Sequence, residues 1–350
     1  MRRKAARNAA RQECSGAGAG MRAREELSLS PCIYNRNLLT TAPRRPRPDG
    51  KAFAFTIFDD PDSQTFEAGR EVYSLLRDLG FRTTKGVWPV RGPREPSDHG
   101  ITCADDPAYV AWLQELQRAG FEIGYHNATL HTSDRQETLA GLERFAAYFG
   151  AYPKSMAHHY FCHENLYWGD GRVTGLYRFL YNLATRGQNR NQFFGHIPGH
   201  PYFWGDLCKE RIKYVRNFAF AEINTLKACP WMPYHDPQRP YVNYWYASTE
   251  GSKASTFVDQ LREENQDRLE QERGACIMYT HFGHGYYDDG KLVPGFRPLM
   301  ERLAKKNGWF VPVSVLLDFL IEGRDPVITD AQRTWLERRW LTHKIRFGTA

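Results

Sequence analysis

Two adjacent carboxylates, Asp59 and Asp60, follow a short apolar run from Phe53 to Phe58. His126 follows another run, Phe121 to Tyr125, and His281 a third, Ala275 to Thr280. Each run reads as a buried strand. In parallel α/β architectures the side chains at the carboxyl ends of strands converge on one rim, where active sites sit, so separation in sequence is no obstacle to proximity. Taken singly, each residue has a structural explanation: an Asp pair after a strand often caps a helix, and a lone His is commonly a hydrogen-bonded rim residue. Taken together, two imidazoles and a carboxylate make a three-ligand site with open positions. Such a site suits zinc or another divalent ion that activates water. The same ligand set serves non-haem iron oxygenases, so the set leaves the reaction open.

These residues must be positioned by regular elements, and the chain supplies a repeating order of them. Gln64 to Leu79 places Phe66, Val72, Leu75, Leu76 and Leu79 at helical spacing before Gly80. Thr83 to Val90 reads as a strand. Asp106-Pro107 offers an N-cap followed by Pro in the first turn, opening a helix that runs to about Ala119. Phe121 to Tyr125 is then a strand, and Ser133 to Phe149 a helix with Ser133 and Gln136 at capping-box spacing. Alternating β and α units predict a parallel sheet or barrel. The pattern loosens from 161 to 275, a segment rich in aromatics that includes Trp168, Trp204, Trp245 and Tyr246. Helices are expected there at Arg172 to Thr185 and Thr256 to Glu272, with a strand at Tyr214 to Phe220. Alternation resumes with a helix at Phe296 to Lys305, a strand at Trp309 to Val313 and a helix at Ser314 to Leu320. A charged helix near Asp330 to Leu341 follows.

Phe55-Thr56-Ile57-Phe58-Asp59-Asp60 resembles the T-F-D-D motif of the polysaccharide deacetylase family, the NodB-homology domain of carbohydrate esterase family four. Glu122 to His126, continuing to His131, is similar to its histidine motif. Met156 to Tyr160 falls where its R-P-P-Y motif would lie, and Thr280-His281-Phe282-Gly283 resembles its late L-H-x-G motif. The resemblance implies a distorted (β/α)7-8 barrel, here with a long aromatic-rich insertion. It also implies metal-dependent removal of an N-acyl group, typically acetyl, from an amino sugar or glycan. By position it implies Asp60, His126 and His131 as ligands of a divalent ion, zinc being the first expectation. Asp59 would be the general base and His281 the acid that protonates the leaving amine, and the backbone N–H of Tyr160 would help hold the oxyanion. The chain departs from the family pattern in four places. His126 and His131 are separated by four residues rather than three, and Ala157 stands where the family has an Arg bracing the base. Pro61 replaces a Gly, and the middle Asp motif has only Asp206 and Asp236 as candidates. His158 and His159, beside Ala157, are candidates for brace or replacement ligand. Trp204, Trp245 and Tyr246 are candidate stacking faces for sugar rings. A catalytically silent glycan-binding or scaffold protein on the same barrel, or another metal amidohydrolase such as a deformylase, are the alternatives.

Composition bounds the rest. The 350 residues are 41% hydrophobic and 25% charged, usual for a globular chain with a sizeable core. Residues 1 to 50 hold eleven Lys and Arg against four acids, an excess equal to the whole net charge of +7, so the remainder is neutral. A basic face for nucleic acid is therefore not expected on the folded part. The expected organisation is a disordered basic tail over 1–50, a barrel over 51–323 containing the divergent segment 161–275, and a C-terminal helical extension over 324–350. No run approaches a membrane span or a signal-peptide core. The seven cysteines are scattered without a C-x-x-C pair. Together these features suggest a cytoplasmic, reducing location.

Overall fold

The computed structural model of the chain describes residues 46–92, 101–104 and 106–349. Up to position 45, the tail expected over 1–50 lies outside the described residues. Arg47, placed in that tail, instead donates to the carbonyls of Ala52, Arg273 and Gly274 at 2.6, 2.6 and 2.7 Å, so the barrel's first contacts begin before Lys51.

Seven strands form the barrel: β1 (Phe53–Asp59), β2 (Thr84–Val87), β3 (Glu122–Tyr125), β4 (Ser155–Met156), β5 (Tyr214–Phe220), β6 (Tyr244–Glu250) and β7 (Ala275–Thr280). Each pairs in parallel with the next, and β7 closes the ring on β1 from Ala54↔Ala275 to Asp59↔Thr280. A small antiparallel hairpin, β8 (Tyr287–Asp288) and β9 (Lys291–Leu292), comes after the barrel strands. The two-residue β10 (Gly308–Trp309) pairs with the start of β1 at Phe53↔Gly308, while β2 reaches only its end, at Phe58↔Thr84. The helices are α1 (Phe66–Asp78), α2 (Pro107–Arg118), α3 (Arg135–Phe149), α4 (Gly175–Ala184), α5 (Gly205–Arg211), α6 (Thr225–Ala228), α7 (Ala254–Leu261), α8 (Glu263–Gln271), α9 (Phe296–Ala304), α10 (Val313–Ile321) and α11 (Asp330–Phe347). Among the described residues no helix is long and apolar enough to cross a membrane.

The expected (β/α)7-8 barrel is present, and every residue of β1, β5 and β7 is buried, as strands covered on both faces must be. Alternation decides which side each residue serves. Phe58 points into the barrel, where Gly86 and Gly124 leave room for its ring; a Cβ on Gly124 would lie 2.9 Å from Phe58 Cζ. Its neighbour Asp59 points the other way, toward Tyr73 of α1.

Several expectations shift. The divergent segment 161–275, expected within the barrel, supplies β6 as well as the expected strand β5. The capping box of α3 is Asp134 with Glu137, one residue later than the Ser133 and Gln136 spacing suggested. The Ser133 backbone N–H instead donates to buried Glu164 at 3.2 Å. The helix expected over Thr256 to Glu272 breaks at Arg262, whose extended ψ of 158° separates α7 from α8.

The C-terminal extension is packed rather than appended. Trp340 of α11 is fully buried and stacks on Phe218 at 4.9 Å and Tyr181 at 5.7 Å between ring centroids. Glu337 accepts from the Thr174 N–H and hydroxyl, both at 2.9 Å, and from Arg239 at 3.1 Å. Asp236, a candidate for the middle motif, pairs with Arg239 and with Arg333 in this same buried network. Asp206, the other candidate, pairs with Arg135 in solvent.

Candidate metal centre

At the carboxyl ends of the strands a cavity of about 410 Å³ gathers residues from most of the barrel, among them Asp60, Asp62, His126, His158, His159, Tyr160, Arg216 and His281. Asp60 is the first residue beyond β1 and falls on the inward side by alternation from Phe58. His126 follows Gly124 inward at the end of β3 in the same way, and His281 follows Tyr279 at the end of β7. His159 arrives from the loop after β4, and that loop is fixed by Asn127. Asn127 sits at φ 62°, a left-handed conformation that Asn tolerates better than most residues. Its Oδ1 accepts from the His159 N–H at 3.3 Å, and its Nδ2 donates to Glu164 and Asn165 at 2.7 and 2.8 Å. Asn165 in turn donates to the His159 carbonyl at 2.6 Å. The residue after one imidazole therefore anchors the loop that carries the other.

Asp62, His126 and His159 bring one ligand atom each within 4.8 Å of one another. His159 Nε2 lies 3.1 Å from Asp62 Oδ1 and His126 Nε2 lies 3.3 Å from Asp62 Oδ2. Both His126 ring nitrogens and Asp62 Oδ2 are buried without a hydrogen-bond partner among the described residues. Buried polar atoms left in this state are costly unless something else satisfies them. One carboxylate and two imidazoles form a donor set suited to a divalent ion such as zinc, so the residues fit a metal. Burial alone would raise the Asp62 carboxyl, but the close approach and charges of the His126 and His159 imidazoles hold it well below the usual carboxylate range. Burial pushes His126 down despite the neighbouring carboxylates, which favours the neutral imidazole that a metal requires.

Asp60 is gripped by Arg216 of β5, whose two terminal nitrogens donate to Oδ1 at 3.2 Å and Oδ2 at 2.6 Å. Asp60 Oδ1 is also 3.5 Å from His126 Nδ1. His281 Nε2 stands 3.9 Å from Asp60 and 3.8 Å from Asp62. Its Nδ1 lies 2.6 Å from the Ser252 carbonyl, which can only accept, so Nδ1 carries a proton and Nε2 faces the carboxylates. Burial, with the charges of Arg172 and His126, pushes His158 well below the ordinary imidazole range.

The ligand trio implied by the motifs, Asp60, His126 and His131, is not brought together. Thr129 and Ser133 form a tight turn around His131, with the Thr129 hydroxyl at 2.8 Å from the His131 carbonyl and 3.0 Å from its N–H. That turn lays the ring against Gly92, beyond β2 and off the cavity. Asp59 also lies off the cavity, as an outward-facing residue paired with Lys85 at 3.1 Å. Tyr160 is on the cavity lining with its side chain 58% exposed. Trp204, Trp245 and Tyr246, expected as stacking faces, are buried to 2% exposure or less and line no part of the cavity. Trp204 and Tyr246 spend their polar atoms on the carbonyls of Glu164 and Met156. Of the two candidates for replacement ligand, His159 joins the cluster; Asp62 and the Arg216 brace were not singled out by the motifs, and the D-D-P-D run from Asp59 to Asp62 was the local signal for the first.

No family profile matches the chain, and no curated protein does. Solved structures similar to it over most of its length include a probable polysaccharide deacetylase from Pseudomonas aeruginosa PAO1, at 11% identity and TM-score 0.45 over 83% of this chain and 99% of that one. The Puue allantoinase is similar at 11% identity and TM-score 0.44, over 82% and 97% of the two chains. A polysaccharide deacetylase from Bacillus cereus is similar at 13% identity and TM-score 0.36, over 80% and 99%.

Proposed function

We propose that the chain is a metal-dependent hydrolase that removes an N-acyl group, acetyl in the first instance, from an amino sugar or glycan. The observation that carries this reading is the Asp62, His126 and His159 cluster sharing one cavity with an Arg-held carboxylate and a histidine. Asp62, His126 and His159 would hold the ion, with zinc the first expectation. A divalent ion bound there polarises an acyl oxygen and makes water a better nucleophile.

The chain's own groups divide the proton work. Asp60, fixed in direction by Arg216, takes a proton from the attacking water. His281, its Nδ1 proton committed to the Ser252 carbonyl, carries a second proton on Nε2 and delivers it to the departing amine nitrogen. Trp88, fully buried, packs edge-on to His159 at 5.1 Å between centroids and helps keep bulk water from the ligands. The carboxylate roles implied by the motifs thus move along the chain, the base from Asp59 to Asp60 and the ligand from Asp60 to Asp62.

Zinc content and amine release from N-acetylated chito-oligosaccharides and amino-sugar nucleotides test this assignment. The parent should retain zinc through gel filtration and release amine, and Asp62→Ala should lose both properties. Asp60→Asn should keep the ion while turnover falls by roughly a hundred- to ten-thousandfold, the usual effect of losing a general base. A parent that binds zinc yet is inert on every N-acyl substrate tried would refute the hydrolase reading.

A further inference from the structure

The cavity that holds the metal centre has a second, cationic lining. Arg172, Lys344 and Thr349 line it together with Glu250. Arg172 is 3% exposed. Its guanidinium lies 3.2 Å from the centroid of the Trp168 ring and 5.3 Å from that of Trp340, so two indoles fix its position. Its Nε is buried without a hydrogen-bond partner among the described residues. Among the described residues no carboxylate lies within ion-pair distance of it. Lys344, from the last turn of α11, donates to the Thr349 carbonyl at 2.9 Å, a neutral acceptor. Arg216 is already committed to Asp60. Burial pulls Arg172 down to about 9 and Lys344 to about 8, which leaves both largely charged at neutral pH.

An unpaired buried guanidinium is costly unless a counter-charge is supplied from outside. Here the fold has nonetheless fixed one in place, between Trp168 and Trp340 of the C-terminal helix. We propose that the substrate carries an anionic oxygen group, a carboxylate or a phosphate, which Arg172 and Lys344 bind while the acyl group lies at the Asp62, His126 and His159 cluster. The planar guanidinium, held by the indoles, presents paired donors to such an oxyanion. This inference rests on the hydrolase reading for the position of the scissile bond but not for the existence of the anion site.

The test is calorimetric titration of the full chain with three probes: neutral N-acetylglucosamine, its 6-phosphate, and N-acetylmuramic acid, which bears a carboxylate. At least one anionic sugar should bind about tenfold or more tightly than the neutral one, as a charge-assisted contact provides. Which of the two it is distinguishes phosphate from carboxylate. Arg172→Gln and Lys344→Gln should each narrow that preference by about tenfold, and Lys344→Gln, at a half-buried position, serves if Arg172→Gln does not fold. Equal binding of all three sugars, or a preference that survives both substitutions, overturns the proposal even if the zinc-loaded enzyme releases amine. Conversely, an anion preference lost in these variants, with no amine release by the zinc-loaded parent, would leave the anion site standing and remove the hydrolase reading.

Discussion

Asp59→Asn removes one charge from a pair that is wholly out of water. The Asp59 and Lys85 side chains are each 0% exposed and meet at 3.1 Å. Asp59 also accepts from the Phe282 N–H at 2.8 Å, from Gln64 at 3.1 Å and from the Tyr73 hydroxyl at 3.2 Å. Together these tie the end of β1 to α1, β2 and the turn after β7. An Asn keeps the shape and one carbonyl oxygen. It cannot offset the Lys85 charge, and its amide nitrogen faces donors. Breaking a buried pair from one side costs about 3–5 kcal/mol, a large part of the roughly 5–15 kcal/mol that holds a typical domain together. Urea unfolding followed by circular dichroism should show that loss as a lower midpoint with an unchanged slope. Adding Lys85→Met to Asp59→Asn removes the stranded charge, and most of the lost stability should return. A single variant with parental stability but turnover reduced a hundredfold would refute this structural role and restore Asp59 as the base that its motif implies.

His131→Ala should retain zinc and amine release at close to the parental level, as metal analysis of the purified variant will show; loss of the ion would return His131 to the ligand set. Glu164, pushed up by burial from 4.5 to about 7, keeps its proton in the native state where the unfolded chain has released it. The unfolded state then binds fewer protons, so this group makes stability fall as pH rises from about 4.5 to about 7, by on the order of 3 kcal/mol in all. Glu164→Gln should flatten that slope, read from urea midpoints at pH 5 and pH 8, and an unchanged slope would contradict the burial argument. Trp340→Ala should cost about 3–5 kcal/mol, as large-to-small changes at fully buried aromatics do. An unchanged melting temperature would show that α11 does not hold to the barrel through that ring.

Much of the barrel was legible in the sequence because a parallel strand covered on both faces is an unbroken apolar run. Phe53 to Phe58, Tyr214 to Phe220 and Ala275 to Thr280 are such runs. Tyr244 to Glu250 was not read as a strand because its aromatics and polar residues mimic a binding face, yet Tyr246 turns into the barrel to reach the Met156 carbonyl. The rim was legible as a place, through His126 and His281. The full ligand set and the base were not: the turn at Thr129 to Ser133 carries His131 off the cavity, and strand alternation, counted from Phe58, turns Asp59 to the helices. His159 was in view as a candidate replacement ligand, but its place beside His126, like the Arg216 brace, was not. The first depends on a left-handed Asn127 and a side-chain network, and the second on β5 standing opposite β1 across a barrel whose closure spacing does not disclose.

Closure itself has a kinetic consequence. Ala54 finds its partner Ala275 only once nearly all the chain between them exists, so the sheet remains an open ribbon through most of synthesis. Until β7 arrives, β1 and β6 each offer a row of unpaired backbone groups, flanked by apolar side chains, to any other strand nearby. Contacts so distant in sequence also form slowly. Products that stop short of Ala275 would therefore add to one another edge to edge rather than persist as small barrels, and recovery of the intact protein depends on keeping nascent chains apart until the seventh strand is made.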